Sequence, residues 1–451
     1  MSTSKALSMS KARADSRYLV LLGCAVFLLL GIALQVASQI PMGDFKGVYY
    51  ESRCLIQGRD AYNPTAMEHC YLADGGQFPK SDVEHGDFLN IILTVNLPTT
   101  LLLYIPTALI PWDAVRWIWT AFSAGIFMLA ACLVWKASVD TSPAISGLLT
   151  AGCIAGSELY LILGNPACIV ISLCVIAAWC VVQRRFLLLG TVCLAVSLAI
   201  KPHDSGFVWL YLLLSGGVNR RIALRALALT LAIAIASVVW VSAVAPGWDH
   251  ELIRNLAVIS SHGGGNDPGP SSIGGHGIGM IISLQTIFSL IWDNSTFYNT
   301  ATYIICGALL AVWAVKTMRT PVSPKMTWFA LAPVSALSML PVYHRIYDAR
   351  LLLLAIPACV LLWREGGATA KAAFWLTAAA IFVTSATPWA LFLQAIERLP
   401  LPAALSSKEA MSIMQVVPVP LTLLIVGTFY LWVYVKRPDH VQDSFESETV
   451  F

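Results

Sequence analysis

Charge is what this sequence has least of. Asp and Glu number 25 and Lys and Arg 28 in 451 residues, 12% together, against roughly 25% for an ordinary soluble domain. A chain so poor in charge and 57% hydrophobic cannot hide its apolar surface in a soluble core. The apolar runs also lack the period-two alternation of barrel strands, which removes a transmembrane β-barrel. No basic stretch forms an electrostatic footprint and the net charge is only +3, so no nucleic-acid partner is expected. No glycine-rich nucleotide motif follows a strand, and no clean repeat recurs at a fixed period. Converging metal-ligand spacing is missing from the glycine-rich stretch that holds His262, Asp267 and His276, so neither a metal nor another cofactor is expected.

What is present is a series of apolar runs, with mean hydropathy +0.73 over the chain. Runs near 114–135, 144–162, 166–182, 186–200, 204–217, 223–245, 297–315, 326–341, 349–363, 371–391 and 417–435 follow a first one from Tyr18 to about Gln39. Runs of about 20 such residues cross about 30 Å of hydrocarbon. The fold class expected is therefore all-α and polytopic, a bundle of about twelve transmembrane helices with helical outer loops. Basic clusters at Lys136, Arg184-Arg185, Arg220-Arg221, Lys316 to Lys325, Arg364 with Lys371, and Lys436-Arg437 assign the cytoplasmic side. The expected organisation is a cytoplasmic tail over 1–17, one transmembrane domain over 18–435 and a disordered cytoplasmic tail over 436–451. Two large outer loops, 40–113 and 246–296, belong to the membrane domain. The segment 88–110 breaks the parity, because counting it as a span would put Lys136 and Arg184-Arg185 outside. It carries Asn96, Pro98 and Pro106, with Pro111 just beyond, and each interior proline removes a helical hydrogen bond; it reads as an interfacial or re-entrant pair on the outer side, the alternative being a kinked full span with one basic cluster assigned to the wrong side.

Of the 11 cysteines, nine lie within or at the edge of apolar runs, where Cys behaves as a small hydrophobe. Cys54 and Cys70 stand apart, 16 positions from each other in the first outer loop. A disulfide is expected between them if the loop faces an oxidising compartment, and two free thiols otherwise.

The polar residues that interrupt or flank the runs sort to one side of the membrane. They include Asp44, Tyr49, Tyr50, Glu51, Asn165, Lys201, His203, Asp204, Tyr343, His344, Arg345, Tyr347, Asp348 and Arg350. Ionisable groups at the ends of spans are costly and survive mainly where they face a cavity or a partner. One carboxylate, Asp44, is placed as a general base for an acceptor hydroxyl. Lys201, His344, Arg345 and Arg350 are the cations available to hold a departing phosphate. Plainer readings stand beside these: Asp44 as a helix cap, Lys201 as a snorkelling interface residue, His344 as part of the outer surface. A transporter or flippase for a lipid-linked saccharide is the alternative class, but transporter sites lie near the midplane and come with repeated halves.

Several short motifs occur in order: Asp44-Phe45 with Tyr49-Tyr50, Gly58-Arg59-Asp60-Ala61-Tyr62, a proline-broken segment from Asn96-Leu97-Pro98 to Pro111, Leu163-Gly164-Asn165, Lys201-Pro202, and a late His344. In this order the chain resembles glycosyltransferase family 87, of the GT-C superfamily. The resemblance implies a GT-C-type bundle and a multi-pass inner-membrane enzyme with both termini cytoplasmic. It implies a polyprenyl-phosphate sugar donor of mannose or arabinofuranose type and an envelope lipid or glycan acceptor. By the same resemblance Asp44 is the catalytic base at the outer face and Lys201 and His344 contact substrate; Arg345, Arg350, Tyr49, Tyr50 and Asn165 are the further substrate-site candidates on that side. The family's usual Gly-Gln before an Asn is here Gly164-Asn165-Pro166, a departure at the position of Asn165.

Overall fold

The structure, a computed structural model, describes residues 3–39, 41–80, 88–269, 281–398 and 413–438. His276 and the tail beyond Pro438 lie outside these residues. Every extended element among the described residues is a helix, and the one β-bridge joins Ile281 to Arg345. The fold class is thus all-α and polytopic. Among the described residues seven helices are long and apolar enough to cross a membrane: Met9–Ala37, Trp112–Ser138, Pro143–Leu163, Gly217–Val244, Ser295–Arg319, Ile346–Glu365 and Ile413–Lys436. The pair Gly367–Val383 and Ala386–Glu397, bent by 86°, makes an eighth when taken as one broken span. The other expected runs fold as shorter helices, Ala167–Val182, Leu187–Ile200, Pro202–Leu214 and Pro324–Leu337. At 1.5 Å per residue the 14 residues of Leu187–Ile200 reach only about 21 Å. Proline in the first turn of Pro202–Leu214 and Pro324–Leu337 fixes where each begins, since its missing N–H is not needed there.

The first helix runs unbroken from Thr3 to Ala37, so the polar residues before Tyr18 extend it. Small residues let it approach its neighbour closely: a Cβ on Gly23 would stand 2.7 Å from the Ala151 carbonyl oxygen, and one on Gly147 3.0 Å from Ser16 Cα. Such contacts replace the missing hydrophobic drive between helices in lipid. Gly217–Val244 and Ser295–Arg319, by contrast, leave most of their apolar surface unburied, with 11% and 22% of it covered. These are the faces available to lipid.

Two spans are broken inside the bundle, and the breaks interlock. Pro143–Ala155 ends at Gly156, where an added Cβ would collide with the Ser385 side chain at the other break. Helix breaks free backbone groups that hydrocarbon cannot satisfy. Arg350, 2% exposed, answers this by donating to the carbonyls of Cys153 and Thr384. Glu158 Oε1 accepts from the Thr387 N–H at 2.7 Å.

A second, smaller core sits over the helix ends. It is built from the helices Gly43–Ile56, Pro64–Ala73 and Pro98–Ala108, and a disulfide joins Cys54 of the first to Cys70 of the second. Phe45, fully buried, stacks on Trp119 with ring centroids 4.4 Å apart. Burial of this kind contributes roughly 1.5–3 kcal/mol per side chain, so Phe45 anchors the helix that carries Asp44. In the parity-breaking segment residues 88–92 are helical and, after a break, so is Pro98–Ala108, whose 11 residues reach about 16 Å and cannot span. Its carbonyls are covered by protein: Ser52 Oγ donates to Leu101 and Arg53 Nη1 to Ala108. In turn, Thr100 Oγ1 donates to the Ile200 carbonyl at 3.0 Å, which closes the end of Leu187–Ile200 just before Lys201.

Candidate active site

Asp44 occupies the first turn of Gly43–Ile56, where the positive end of the helix favours a carboxylate. Its position follows from two close approaches. Met42 adopts a left-handed conformation (φ 59°) and its N–H donates to the Ile162 carbonyl at 2.7 Å. Gly164, at φ +65°, leaves room for Phe45 and Met42, which any Cβ there would meet at 2.7–3.0 Å. Gly164 therefore lets the loop 164–166 lie directly against the start of the Asp44 helix.

Asn165 is the consequence. Its Nδ2 donates to Asp44 Oδ2 at 2.7 Å and to the Tyr347 hydroxyl at 2.8 Å, and its Oδ1 accepts from the Ala167 N–H at 2.8 Å. With both ends of the amide engaged, Asn165 orients the carboxylate. Asp44 itself remains half-buried. Burial pushes its pKa upward, opposed by the Asn165 hydrogen bond and by the charges of Arg345 and Lys201. A carboxylate raised in this way is a stronger base than a free one.

Beyond Tyr347 the polar path continues inward. Lys201 Nζ lies 5.6 Å from the Tyr347 ring centroid, 3.0 Å from Asp348 Oδ1 and 3.1 Å from Asp204 Oδ2. Burial works against its charge most strongly, yet the two carboxylates outweigh it and hold the ammonium above its usual pKa. Asp348 also accepts the Arg345 backbone N–H at 2.9 Å, capping the 3-10 helix Ile346–Ala355. Asp204 Oδ1 stands 3.2 Å from His344 Nε2 and 3.7 Å from His203 Nε2. His344 is fully buried; burial disfavours its charged form, but Asp204 and Asp348 keep its pKa above the ordinary value. His203, Asp204 and His344 place their ligating atoms within 4.8 Å of one another, a set that would suit a metal ion.

Arg345 links this cluster to the second outer loop. Its guanidinium donates to the Tyr343 hydroxyl and to the Gly265 carbonyl. The Ile282 N–H donates to the His344 carbonyl at 3.0 Å, so the loop is held at both of its described edges.

The residues expected from sequence thus separate into two groups. Asp44, Asn165, Lys201, His344 and Arg345 are joined by one chain of contacts. Tyr49 and Tyr50 are in the small core instead: the Tyr49 hydroxyl donates to the Ile110 carbonyl at 3.0 Å, and Tyr50 packs edge-on against Tyr71. Arg350 holds helix breaks. Tyr347, Asp348 and Asp204 belong to the path yet carried no assigned role in the sequence reading. Their signal was spacing: Asp348 lies three residues after Arg345, as a capping residue does. Glu51, buried and bonded by Asn96 Nδ2 at 2.8 Å, is pushed up to about 8 by burial, which makes it a mostly neutral acid in the small core.

The family model described as Glycosyltransferase family 87 matches residues 95–341, more than half of the chain. The match includes Asn165 and Lys201 and stops short of Asp44 on one side and His344 on the other. Neither a curated protein nor a solved structure matches the chain.

Proposed function

The chain belongs to glycosyltransferase family 87, and from that premise we propose that it moves a mannose- or arabinofuranose-type sugar from a polyprenyl-phosphate donor to a hydroxyl of an envelope lipid or glycan. The observation that carries this reading is the placement of Asp44, a half-buried carboxylate oriented by one amide and facing Arg345 and Lys201. Asp44 takes the proton of the acceptor hydroxyl. The hydroxyl oxygen forms its bond to the anomeric carbon while the bond from that carbon to the phosphate oxygen breaks. The electron pair leaves with the phosphate, whose added charge is met by Arg345, with Lys201 and His344 behind it. Attack opposite the leaving group inverts the anomeric centre.

The site is proposed to lie at the outer face of the inner membrane, with both termini cytoplasmic. The positive-inside pattern supports this orientation, and so does the Cys54–Cys70 bond in the core that carries Asp44, because disulfides persist in oxidising compartments. A lipid-linked donor would then approach from the bilayer.

The test uses purified protein with radiolabelled polyprenyl-phosphate mannose or arabinofuranose and envelope lipid extracts, comparing wild type with Asp44→Asn. Transfer that depends on Asp44, giving a product of inverted anomeric configuration, is the expected result. Equal transfer by Asp44→Asn removes the assigned base, and a retained configuration removes direct displacement. Labelling of a cysteine introduced at position 136 from the outside alone would reverse the orientation.

A further inference from the structure

We propose that His203, Asp204 and His344 form a binding site for one zinc-class divalent metal ion. The site stands on its own geometry and does not depend on the sugar-transfer reading; with the ion bound, His344 is neutral and the ion supplies the positive charge that an imidazolium would otherwise hold there. His344 Nδ1 lies 3.2 Å from the Val342 carbonyl oxygen. A carbonyl only accepts, so that nitrogen carries the ring proton. His344 Nε2 then points its lone pair at Asp204 Oδ1, 3.2 Å away, and something positive has to stand between them. A second proton on His344 would settle that pair alone. It would leave His203 Nε2, 3.7 Å from the same oxygen, without a partner.

His203 Nε2, His344 Nε2 and Asp204 Oδ1 are buried without a well-aligned hydrogen bond, while Asp204 Oδ2 is paired with Lys201 at 3.1 Å, and His344 and Asp204 are 0% and 2% exposed. One metal ion would satisfy the two imidazole nitrogens and Oδ1 together. Tetrahedral zinc with bonds near 2.0–2.1 Å places its ligands about 3.3 Å apart; the separations from Asp204 Oδ1 are 3.2 and 3.7 Å, and the two imidazole nitrogens lie within 4.8 Å of each other, so closing the site needs a modest side-chain adjustment. The surroundings match a metal's outer shell. The Val342 carbonyl fixes the His344 tautomer, and Lys201 at 3.1 Å orients the other Asp204 oxygen, as such groups do for ligating residues. Two imidazoles and one carboxylate favour zinc over magnesium or calcium, which prefer oxygen ligands. Three protein ligands leave a fourth position open to water or an anionic oxygen.

The test uses full-length protein purified without a histidine tag. After removal of adventitious metal, Zn(II) and Co(II) are titrated against a competing chelator, with metal content read by mass spectrometry. The expected result is about one equivalent per chain and a cobalt visible spectrum of tetrahedral intensity. His203→Ala and His344→Ala should each weaken binding by at least ~10-fold, since even outer-shell changes cost that much. Because His344 is fully buried, its variant is paired with His203→Ala at the half-exposed position, and a retained melting transition shows that the chain still folds. Absence of stoichiometric binding overturns the site. So does binding that both variants keep, which would place the metal on the free cysteines instead.

Discussion

Two carboxylates on the same polar path, Asp44 and Asp204, live in opposite conditions. Asp44 is half-buried and receives one side-chain hydrogen bond, from Asn165. Asp204 is 2% exposed and is surrounded by Lys201, His203 and His344. A lightly held, partly open carboxylate keeps a lone pair for a substrate proton. A carboxylate paired with a buried ammonium and flanked by two imidazoles organises charge and keeps its place. The contrast supports the proposed reacting role at one end of the path and a holding role at the other, and it can be broken by measurement.

Asp44→Asn separates the two ends most sharply. Loss of a general base is expected to lower transfer by about 100- to 10,000-fold, with the melting midpoint unchanged because the asparagine oxygen still accepts from Asn165. A comparable loss of stability would show that Asp44 holds structure as Asp204 does. Lys201→Ala tests the other end. It leaves Asp204 and Asp348 buried without their shared cation, and breaking a buried pair costs on the order of 3–5 kcal/mol. A clear fall in the melting midpoint in detergent is expected, and an unshifted midpoint would erase the distinction.

Asn165→Ala probes the contact that orients the base. Removing this hydrogen bond is expected to cost about 1–3 kcal/mol in the barrier, a fall of roughly 5- to 150-fold in rate. The pH profile carries the sign. Asn165 draws the Asp44 pKa down, so its loss raises that pKa, and the pH at which the rate reaches half its plateau moves upward. A uniform drop with an unmoved profile would leave Asn165 with packing alone.

Glu51→Gln is expected to have the smallest effect and supplies the reference for a buried acid outside the path. Its pKa, ordinarily 4.5, is raised to about 8 by burial, so the folded state prefers the neutral form. The stability this group contributes is fully present below pH 4.5 and is lost as pH rises through about 8. Wild-type melting midpoints should decline across that window and Glu51→Gln should flatten the decline. An unchanged slope would mean that Glu51 ionises freely.

Much of the fold was legible in the chain, because hydropathy and charge bias are local properties. The apolar runs, the placement of Asp44, Lys201 and His344 outside them, and the odd character of 88–110 all followed from residues near one another in sequence. The count of about twelve spans was less secure, because run length alone does not separate a spanning helix from a short one inside a bundle. Leu187–Ile200 and Pro202–Leu214 are helices of the latter kind. Tyr49, Tyr50 and Arg350 show the same limit at the level of side chains. An aromatic near a base or a cation in a span reads as a site residue, but where its hydroxyl or guanidinium goes depends on which carbonyls the folded chain leaves bare.

The sequence by itself determined a helical membrane protein with ionisable residues at the ends of its apolar runs, since burial in lipid demands apolar helices and the cost of charge sorts ionisable groups to their ends. Only the tertiary structure decided which of them meet. Asp44 and Asn165 are 121 residues apart and Lys201 and Asp348 147. Contacts of that span depend on close packing at Gly164, on helix breaks and on capped carbonyls, none of which hydropathy records.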